Sequence, residues 1–324
     1  MPEGHSVHRI ARQFERNFVG HRVAVSSPQG RFADGAKALD GATLTEVWAV
    51  GKQMFMGFDD GAWLRIHLGM YGAWDFSGDI QMDATIASAN GRMGQTNQRG
   101  TVFDDAGENS LTSIGAPRKT RVRMAEAEKE SDVSAEFPPE PIGQVRVRLL
   151  TETVCADLRG PTACEVLSAE QVTAVLNRLG PDPQRDSSDE AGQKFVDTIT
   201  KKNTPIGLLL MDQSVVAGIG NVYRAEMLFR AGIDPYRPGK KITTDEAWAL
   251  WRDWVYLLEI GVQTGQMMTI DGLEGEDWRQ AMAHRADRHW VYKREGLPCK
   301  KCGTNIRLEE MANRKLYWCP SCQT

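Results

Sequence analysis

The first residues of the chain carry two groups that could perform covalent chemistry. The sequence begins Met1-Pro2-Glu3-Gly4-His5, and a methionine that precedes a small residue is normally removed after synthesis. The mature chain would then start with the secondary amine of Pro2 beside a carboxylate. Such an amine can attack a sugar C1′ to form an iminium ion, while the carboxylate transfers protons and assists elimination. The same residues also suit an ordinary helix entry, with a proline and an acid in the first turn.

A second chemically informative pattern lies at the other end of the sequence. Two Cys-x-x-Cys pairs are separated by sixteen residues, and their members are Cys299, Cys302, Cys319 and Cys322. Four thiolates presented by two knuckles on a β-hairpin complete a tetrahedron around Zn²⁺. A site with four protein ligands has no open position, so we expect one structural zinc ion. Zinc ribbons also serve protein contacts, and this pattern alone favours DNA binding only modestly.

The elements that must position these groups can be read from hydrophobic periodicity. An amphipathic helix is predicted from His5 to Phe18, directly after the Pro-Glu pair. Short strands follow, separated by glycine and aspartate turns; they span Arg22–Ser26, Thr43–Val50, Met54–Phe58, Ala62–Leu68 and, later in the chain, Val145–Leu150. Together they predict a β-sandwich or barrel.

The second half of the chain has the pattern of a helical domain. Helices are predicted in the regions 168–179, 194–202, 205–212, 222–231 and 245–261. Gly218-Ile219-Gly220-Asn221 lies between the third and the fourth of them. Its backbone amides and the Asn221 side chain offer a position for a phosphate group, although such glycines more often just permit a tight turn. The expected fold class is α+β and multidomain: an N-terminal β-sandwich catalytic domain (1–150) flanked by helices, a helix-two-turns-helix DNA-binding domain (151–285) and a zinc-ribbon finger (286–324). A partly disordered insertion is predicted at about 77–141.

The composition and charge of the chain limit the classes of function that we expect for this protein. The chain has 324 residues, 41% hydrophobic and 25% charged, with a formal net charge of −4. Acidic residues predominate between Asp75 and Glu140, whereas the last forty residues hold nine Lys or Arg against four Asp or Glu. A basic C-terminal module is expected of a protein that binds a phosphate backbone. No apolar run suggests a membrane span or secretory signal, so we expect a cytoplasmic protein, associated with the nucleoid when bound to DNA.

Four motifs in this order resemble the formamidopyrimidine-DNA glycosylase and endonuclease VIII family. They are Met1-Pro2-Glu3-Gly4, Gly51-Lys52 before a strand, Asp212-Gln213 with Ala217-Gly218-Ile219-Gly220-Asn221-Val222-Tyr223-Arg224, and the terminal ribbon ending Tyr317-Trp318-Cys319-Pro320-Ser321-Cys322-Gln323. The resemblance spans almost the whole chain outside the predicted insertion. His5-Ser6-Val7-His8-Arg9 and Asp157-Leu158-Arg159-Gly160-Pro161-Thr162 are similar to the actinobacterial endonuclease VIII branch.

The resemblance implies a role for each matching residue. Pro2 would be the nucleophile and Glu3 the general acid/base, while Lys52 would assist them and contact phosphate. His67, Asn221 and Arg314 match the contacts that the family makes with the DNA backbone. Met70 and Tyr71 match the wedge that fills the gap left by an extruded base, because extrusion costs a few kcal/mol of stacking that an apolar group must partly restore.

The wedge motif also distinguishes two branches of the family. This chain has Met70-Tyr71-Gly72, which is closer to endonuclease VIII than the Met-Ser-Gly of the 8-oxoguanine-preferring branch. That branch carries further wedge residues, an arginine and an aromatic, in the region of the insertion. Phe103 or Arg121 could be proposed for them, but a solvated loop explains both residues better.

The resemblance implies a bifunctional DNA glycosylase and apurinic/apyrimidinic lyase of base-excision repair. Its partner would be double-stranded DNA with oxidised bases, mainly pyrimidines, or abasic sites; it would be monomeric and would not bind membranes. Two alternatives stay open: the same chemistry on 8-oxoguanine and formamidopyrimidines, and a non-catalytic protein that binds damaged DNA on this scaffold. A third, a zinc-ribbon adaptor for protein partners, leaves Pro2 and Glu3 unexplained.

Overall fold

The computed structural model describes residues 2–81, 113–115 and 137–324. These residues form two compact units. The first comprises Pro2 and Ser6–Asn177, and the second comprises Glu3–His5 and Arg178–Thr324. Among the described residues, no helix has the length and apolarity needed to cross a membrane.

Two antiparallel sheets and three helices are formed by the described residues up to 177. In chain order the elements are α1 (Gly4–Phe18), β1 (Ala24–Ser26), α2 (Ala33–Leu39), β2 (Leu44–Val50), β3 (Gln53–Phe58), β4 (Trp63–His67), β5 (Ala73–Gly78), β6 (Ser113–Gly115), β7 (Val145–Leu150), β8 (Val154–Arg159), β9 (Ala163–Leu167) and α3 (Ala169–Leu176). One sheet has the order β1-β7-β8-β5-β6 and the other β2-β3-β4-β9. Their inner faces share one hydrophobic core, which confirms the predicted β-sandwich.

Helix α1 belongs to this core because its apolar positions recur at helical spacing. Phe14 is fully buried and its ring lies 4.7 Å from that of Trp74 and 5.1 Å from that of Phe76. Both partners lie on β5. The prediction of an amphipathic helix after the Pro-Glu pair is confirmed, whereas α2 was not predicted, because Asp34 and Gly35 interrupt its short apolar pattern.

The first domain differs from its prediction in two respects. The sandwich does not end at residue 150, because β8 pairs with β7 and β5, and β9 pairs with β4. The predicted insertion at 77–141 contains β6, which pairs with β5 at the edge of its sheet. The rest of that insertion up to residue 136, except residues 77–81, lies outside the described residues, as do Phe103 and Arg121.

The second unit is helical and ends in a two-stranded hairpin. Its elements are α4 (Asp189–Thr200), α5 (Ile206–Leu209), α6 (Asn221–Arg230), a 3₁₀ turn (Gly239–Lys241), α7 (Thr244–Thr264), α8 (Gly275–Ala283), α9 (Arg285–Arg288), β10 (Arg307–Met311) and β11 (Arg314–Trp318). Helix α7 is delimited by its own sequence: Thr243 and Glu246 form a capping box, and Gly265 adopts the left-handed conformation (φ 72°) at its C-terminal end.

The ribbon belongs to the same compact unit as the helices, so no unit boundary falls at residue 285. The reason is a buried carboxylate on α6. Glu226 accepts hydrogen bonds from the backbone N–H groups of Trp290 (2.8 Å), Val291 (2.9 Å) and Tyr292 (2.8 Å). These bonds attach the chain that enters the ribbon directly to α6.

Candidate active site and DNA-contact residues

The carboxylate of Glu3 is held at the N-terminus of helix α6. Glu3 is fully buried. Its Oε2 accepts from the N–H groups of Gly220 (2.9 Å) and Tyr223 (3.4 Å), and its Oε1 accepts from that of Val222 (2.9 Å). Backbone donors and the positive end of the helix both stabilise a negative charge there. The structure therefore fixes the position and orientation of the Glu3 carboxylate.

Glycines shape the loop that receives Glu3. A Cβ on Gly220 would lie 2.4 Å from Glu3 Cδ, and a Cβ on Gly4 would lie 2.9 Å from Gly218 Cα. The N–H of Gly4 also donates to the carbonyl of Gly218 at 2.9 Å. The amides of Gly220, Val222 and Tyr223 thus hold a carboxylate of the chain itself, and the interpretation of the Gly218–Asn221 segment as a position for phosphate stays a prediction.

The residues after Glu3 are packed against α6 and α7. His5 is buried and its ring meets the ring of Tyr223 edge-on at 5.6 Å. Gly261 on α7 makes room for this pair, because a Cβ there would lie 2.2 Å from Tyr223 Oη. Burial, and then the nearby charge of Glu3, raise the pKa of Tyr223 well above its usual value. The Tyr223 hydroxyl is therefore neutral.

Pro2 lies in the first unit and is buried. Because Pro2 and Glu3 are consecutive, the planar peptide keeps their Cα atoms about 3.8 Å apart. The backbone positions of the two residues are thus adjacent through the chain itself. This places the predicted nucleophile beside the predicted acid/base, although the role of each stays a prediction.

Lys52 occupies the turn between β2 and β3. Val50 pairs with Gln53, so Gly51 and Lys52 form a two-residue hairpin turn, and Gly51 supplies the positive φ of 57° that it needs. Gln53 in turn pairs with His67 on β4. The charge of Lys52 reaches His67, since it contributes to lowering the pKa of that histidine.

His67 is neutral in this environment. Burial, followed by the charges of Lys52 and Arg65, lowers its pKa from 6.5 to about 4. Its Nδ1 accepts a hydrogen bond of 3.1 Å from the N–H of Gly69, so the proton of the neutral ring resides on Nε2. His67 can therefore offer one N–H donor to a phosphate without carrying a charge.

The predicted wedge residues project from a tight turn after β4. Met70 is 44% exposed and Tyr71 37% exposed, which is unusual for large apolar side chains in this protein. The N–H of Gly72 donates to the carbonyl of Leu68 at 2.9 Å and closes the turn. Gly69 adopts a φ of 66° within it. The turn thus presents two large side chains to solvent, and their role as a wedge stays a prediction.

The segment before β9 supports this turn, which sequence reasoning missed. Gly160 lies against the turn, since a Cβ there would come within 2.9 Å of the carbonyl oxygen of Tyr71. The N–H of Thr162 donates to the carbonyl of His67 at 2.8 Å. The only signal in the sequence was the Arg159-Gly160-Pro161-Thr162 motif, noted for its resemblance and not for a contact.

Asn221 and Arg314 are brought to one region of the second unit. Asn221 is the first residue of α6, and its Nδ2 donates to the carbonyl of Lys315 at 2.8 Å. Arg314 precedes Lys315 at the start of β11 and is exposed. The turn before it is a two-residue hairpin in which Ala312 (φ 48°) and Asn313 (φ 58°) are both left-handed. Met70, Tyr71, His67 and Lys52 lie in the first unit.

The four predicted zinc ligands converge. Their sulfur atoms all lie within 4.8 Å of one another, with 3.9 Å between Cys299 and Cys322 and 3.5 Å between Cys302 and Cys319. A tetrahedron with Zn–S bonds of about 2.3 Å places its sulfurs about 3.8 Å apart, so the residues fit one structural zinc ion. Buried Gln323 secures the second knuckle, because its side chain accepts from the N–H of Cys319 and donates to the carbonyl of Ile233.

Comparison with known proteins agrees with this geometry. Residues 1–129 match the formamidopyrimidine-DNA glycosylase N-terminal domain, 179–271 its H2TH domain, and 296–324 the zinc finger found in FPG and IleRS. Endonuclease 8 1 of Mycobacterium tuberculosis is 38% identical over 324 residues, which is the full length of both chains. The chain belongs to the formamidopyrimidine-DNA glycosylase/endonuclease VIII family. The full-length match includes the region that was predicted to be an insertion outside the resemblance.

Other family members are similar over part of the chain or in fold. The formamidopyrimidine-DNA glycosylase of Prochlorococcus marinus NATL2A is 35% identical over 162 residues, covering 48% of this chain and 54% of its own. A Lactococcus lactis Fpg complex with abasic-site DNA has a TM-score of 0.67 at 18% identity, and MutM (FPG) of Thermus thermophilus has 0.65 at 22%; each covers 98% or more of both chains. The family fold, with its helix-two-turns-helix domain and zinc finger, is that of DNA-repair glycosylases.

Proposed function

We propose that this glycosylase is bifunctional and removes oxidised bases through an imine at Pro2, after which it cuts the strand. The observation that carries the proposal is the placement of Glu3, fully buried and held by three backbone N–H groups of α6, directly after Pro2 in the chain. This carboxylate caps α6, and its position directly after an N-terminal amine would also let it transfer protons during the reaction.

The proposed reaction begins when the Pro2 amine attacks C1′ and the N-glycosidic bond breaks, so that the base leaves with the bonding electrons. Glu3 takes the N–H proton from the alkylated Pro2 nitrogen and delivers it to the sugar ring oxygen. The bond between C1′ and the ring oxygen breaks, and the freed nitrogen lone pair forms the iminium ion. The iminium acidifies the C2′ protons. Loss of one of them expels the 3′ phosphate, and a second elimination expels the 5′ phosphate; water finally releases the sugar fragment from Pro2.

Oxidised pyrimidines in duplex DNA are the proposed substrates, along with abasic sites. Two features favour them over purines: the Met70-Tyr71-Gly72 form of the exposed wedge turn, and the full-length similarity to mycobacterial proteins named endonuclease 8. Oxidised purines are the second candidate, since relatives named formamidopyrimidine-DNA glycosylase match about half of the chain. A monomer is proposed to be sufficient for activity.

The proposed DNA contacts combine charge with neutral donors. Lys52, Arg314 and the Nε2–H of neutral His67 would bind backbone phosphates, together with the amide of Asn221. Met70 and Tyr71 would enter the base stack in place of the extruded nucleotide. The zinc ion would keep the hairpin that carries Arg314 folded.

Borohydride trapping tests the proposal. The protein would be incubated with duplexes containing thymine glycol, 5-hydroxyuracil, 8-oxoguanine or an abasic site, and adducts would be resolved by mass. We expect adducts that are strongest with the pyrimidine lesions and the abasic site. The control is the same chain with an uncleaved Gly-Ser extension before Pro2, which converts the amine to an amide, compared with the same extension after Thr324. Binding of all duplexes without any adduct would instead support the non-catalytic alternative.

A further inference from the structure

Arg224 is a buried guanidinium that the proposed reaction does not yet use. It lies on α6, one turn after Asn221, and is fully buried. Its Nη2 donates to Asn221 Oδ1 and also to the carbonyl of Lys315, the latter at 3.0 Å. One nitrogen thus joins the side chain of Asn221 to the backbone of the ribbon hairpin.

These contacts permit only one orientation of the Asn221 amide. Its oxygen faces the guanidinium, which can only donate, and its nitrogen faces the Lys315 carbonyl, which can only accept. If the amide were flipped, its N–H groups would face the N–H groups of the Arg224 guanidinium, and its oxygen would face the carbonyl oxygen of Lys315. Because the amide nitrogen carries two N–H groups and the Lys315 carbonyl takes one, the orientation also fixes the direction of the second.

We propose that Arg224 is a positioning residue that locks the Asn221 amide with an N–H toward the DNA phosphate and holds the Lys315 carbonyl, and hence neighbouring Arg314, against α6. This inference rests on the proposed function. It assigns no contact with DNA to Arg224 itself, since the guanidinium is enclosed by protein. The effect on DNA passes through Asn221 and the hairpin.

The charges around Arg224 also couple it electrostatically to a phosphate bound at Arg314. Burial lowers its pKa to about 10, the charge of Glu3 opposes this, and the charge of Arg314 lowers it further. Arg224 and Arg314 therefore repel each other in the absence of DNA. A phosphate bound at Arg314 would offset that repulsion, so duplex binding and the charged state of Arg224 favour each other.

A double-mutant cycle with Asn221 tests the proposal. The affinity for a duplex with a tetrahydrofuran abasic analogue would be measured for the wild type, Arg224→Met, Asn221→Ala and the double variant, all zinc-loaded. We expect Arg224→Met to weaken binding by about tenfold or more, as for loss of a hydrogen bond to a charged group. The loss of affinity in the double variant should be clearly smaller than the sum of the two single losses, because Arg224 acts in part through Asn221; the remainder reflects its hold on the Lys315 carbonyl. Arg224→Lys, which keeps the charge but not the fork, should restore binding only in part.

Arg230→Met is the matched control, because Arg230 is on the same helix and makes ion pairs with Asp253 and Asp271 at 2.7 Å that have no link to the hairpin. It should lower thermal stability without weakening duplex binding. Wild-type affinity in Arg224→Met, or fully additive losses in the double variant, would overturn the inference. Normal borohydride trapping by the wild type in that case would leave the proposed function intact. An Arg224 effect on binding without any wild-type adduct would instead contradict only the catalytic proposal.

Discussion

Glu3 Oε1 accepts a 2.9 Å hydrogen bond from the backbone N–H of Val222, although 219 residues separate them in sequence. The start of the chain is therefore bound to the first turn of α6, and the next residue after the proposed nucleophile has a fixed carboxylate. The positive end of the helix stabilises the charge of this acid/base.

Glu3→Gln should remove the acid/base function of residue 3, because glutamine has nearly the same size and shape as glutamate but no carboxylate. A glutamine cannot accept a proton at that position, and one of its terminal groups is an N–H donor that would face backbone N–H donors. We expect base removal under single-turnover conditions to fall by about 10²-fold or more. Affinity for the tetrahydrofuran duplex should change much less. Full glycosylase activity in this variant would contradict the role given to Glu3.

Gly220→Ala should be as damaging as a change in Glu3 itself. The new Cβ would come within 2.4 Å of Glu3 Cδ, so the carboxylate would have to leave its amide donors. We expect a loss of base removal together with a lower unfolding temperature. Gly272→Ala is the control, because Gly272 has a φ of 70° but nothing within 4 Å of its Cβ position. It should carry only a strain cost of about 1–2 kcal/mol, with unchanged activity; equal activity in both variants would argue against the packing account.

His67 should make the protein less stable in acid. Its pKa is about 4 when folded and 6.5 ordinarily, so the unfolded chain takes up a proton in this window before the folded chain does. The free energy of unfolding must then decrease as pH falls from about 6.5 to about 4. In His67→Gln that contribution is absent, while other groups such as buried His289 act equally in both proteins. Urea unfolding at several pH values should show the stability advantage of the wild type over the variant shrinking through this window; a constant difference would contradict the buried, neutral His67.

Removal of zinc should unfold the ribbon while the helices of the second unit stay folded. With a chelator, or in Cys319→Ser, the hairpin with Arg314 loses its support, and the carbonyl of Lys315 no longer has a fixed position for Asn221. We expect duplex affinity to fall by at least about tenfold, with a smaller dependence on salt because a phosphate contact is lost. The helical content measured by circular dichroism should change little. Unaltered affinity without zinc would contradict the structural role of the metal.

Side-chain patterns were sufficient to predict much of this molecule, because periodicity and cysteine spacing are properties of the sequence itself. The five strands β1, β2, β3, β4 and β7, helix α1, the four zinc ligands and the Gly218–Asn221 break are examples, whereas β5, β6, β8 and β9 were not predicted. The partners of backbone N–H groups are harder to predict, because every residue except proline has such a group. The sequence does not show whether the amides of Gly220, Val222 and Tyr223 bind a phosphate or Glu3. The support of the wedge turn by Gly160, and of Asn221 by Arg224, depends on long-range packing that spacing does not encode.

The central claim is that the amine of Pro2 forms the covalent intermediate. The most direct test is to reduce the complex with an abasic duplex using borohydride, digest protein and DNA, and locate the sugar remnant by tandem mass spectrometry. The account predicts a peptide that starts at Pro2, lacks Met1 and carries the remnant on its N-terminal nitrogen. A remnant on Lys52 or another lysine, or an adduct formed by chains that retain Met1, would contradict it.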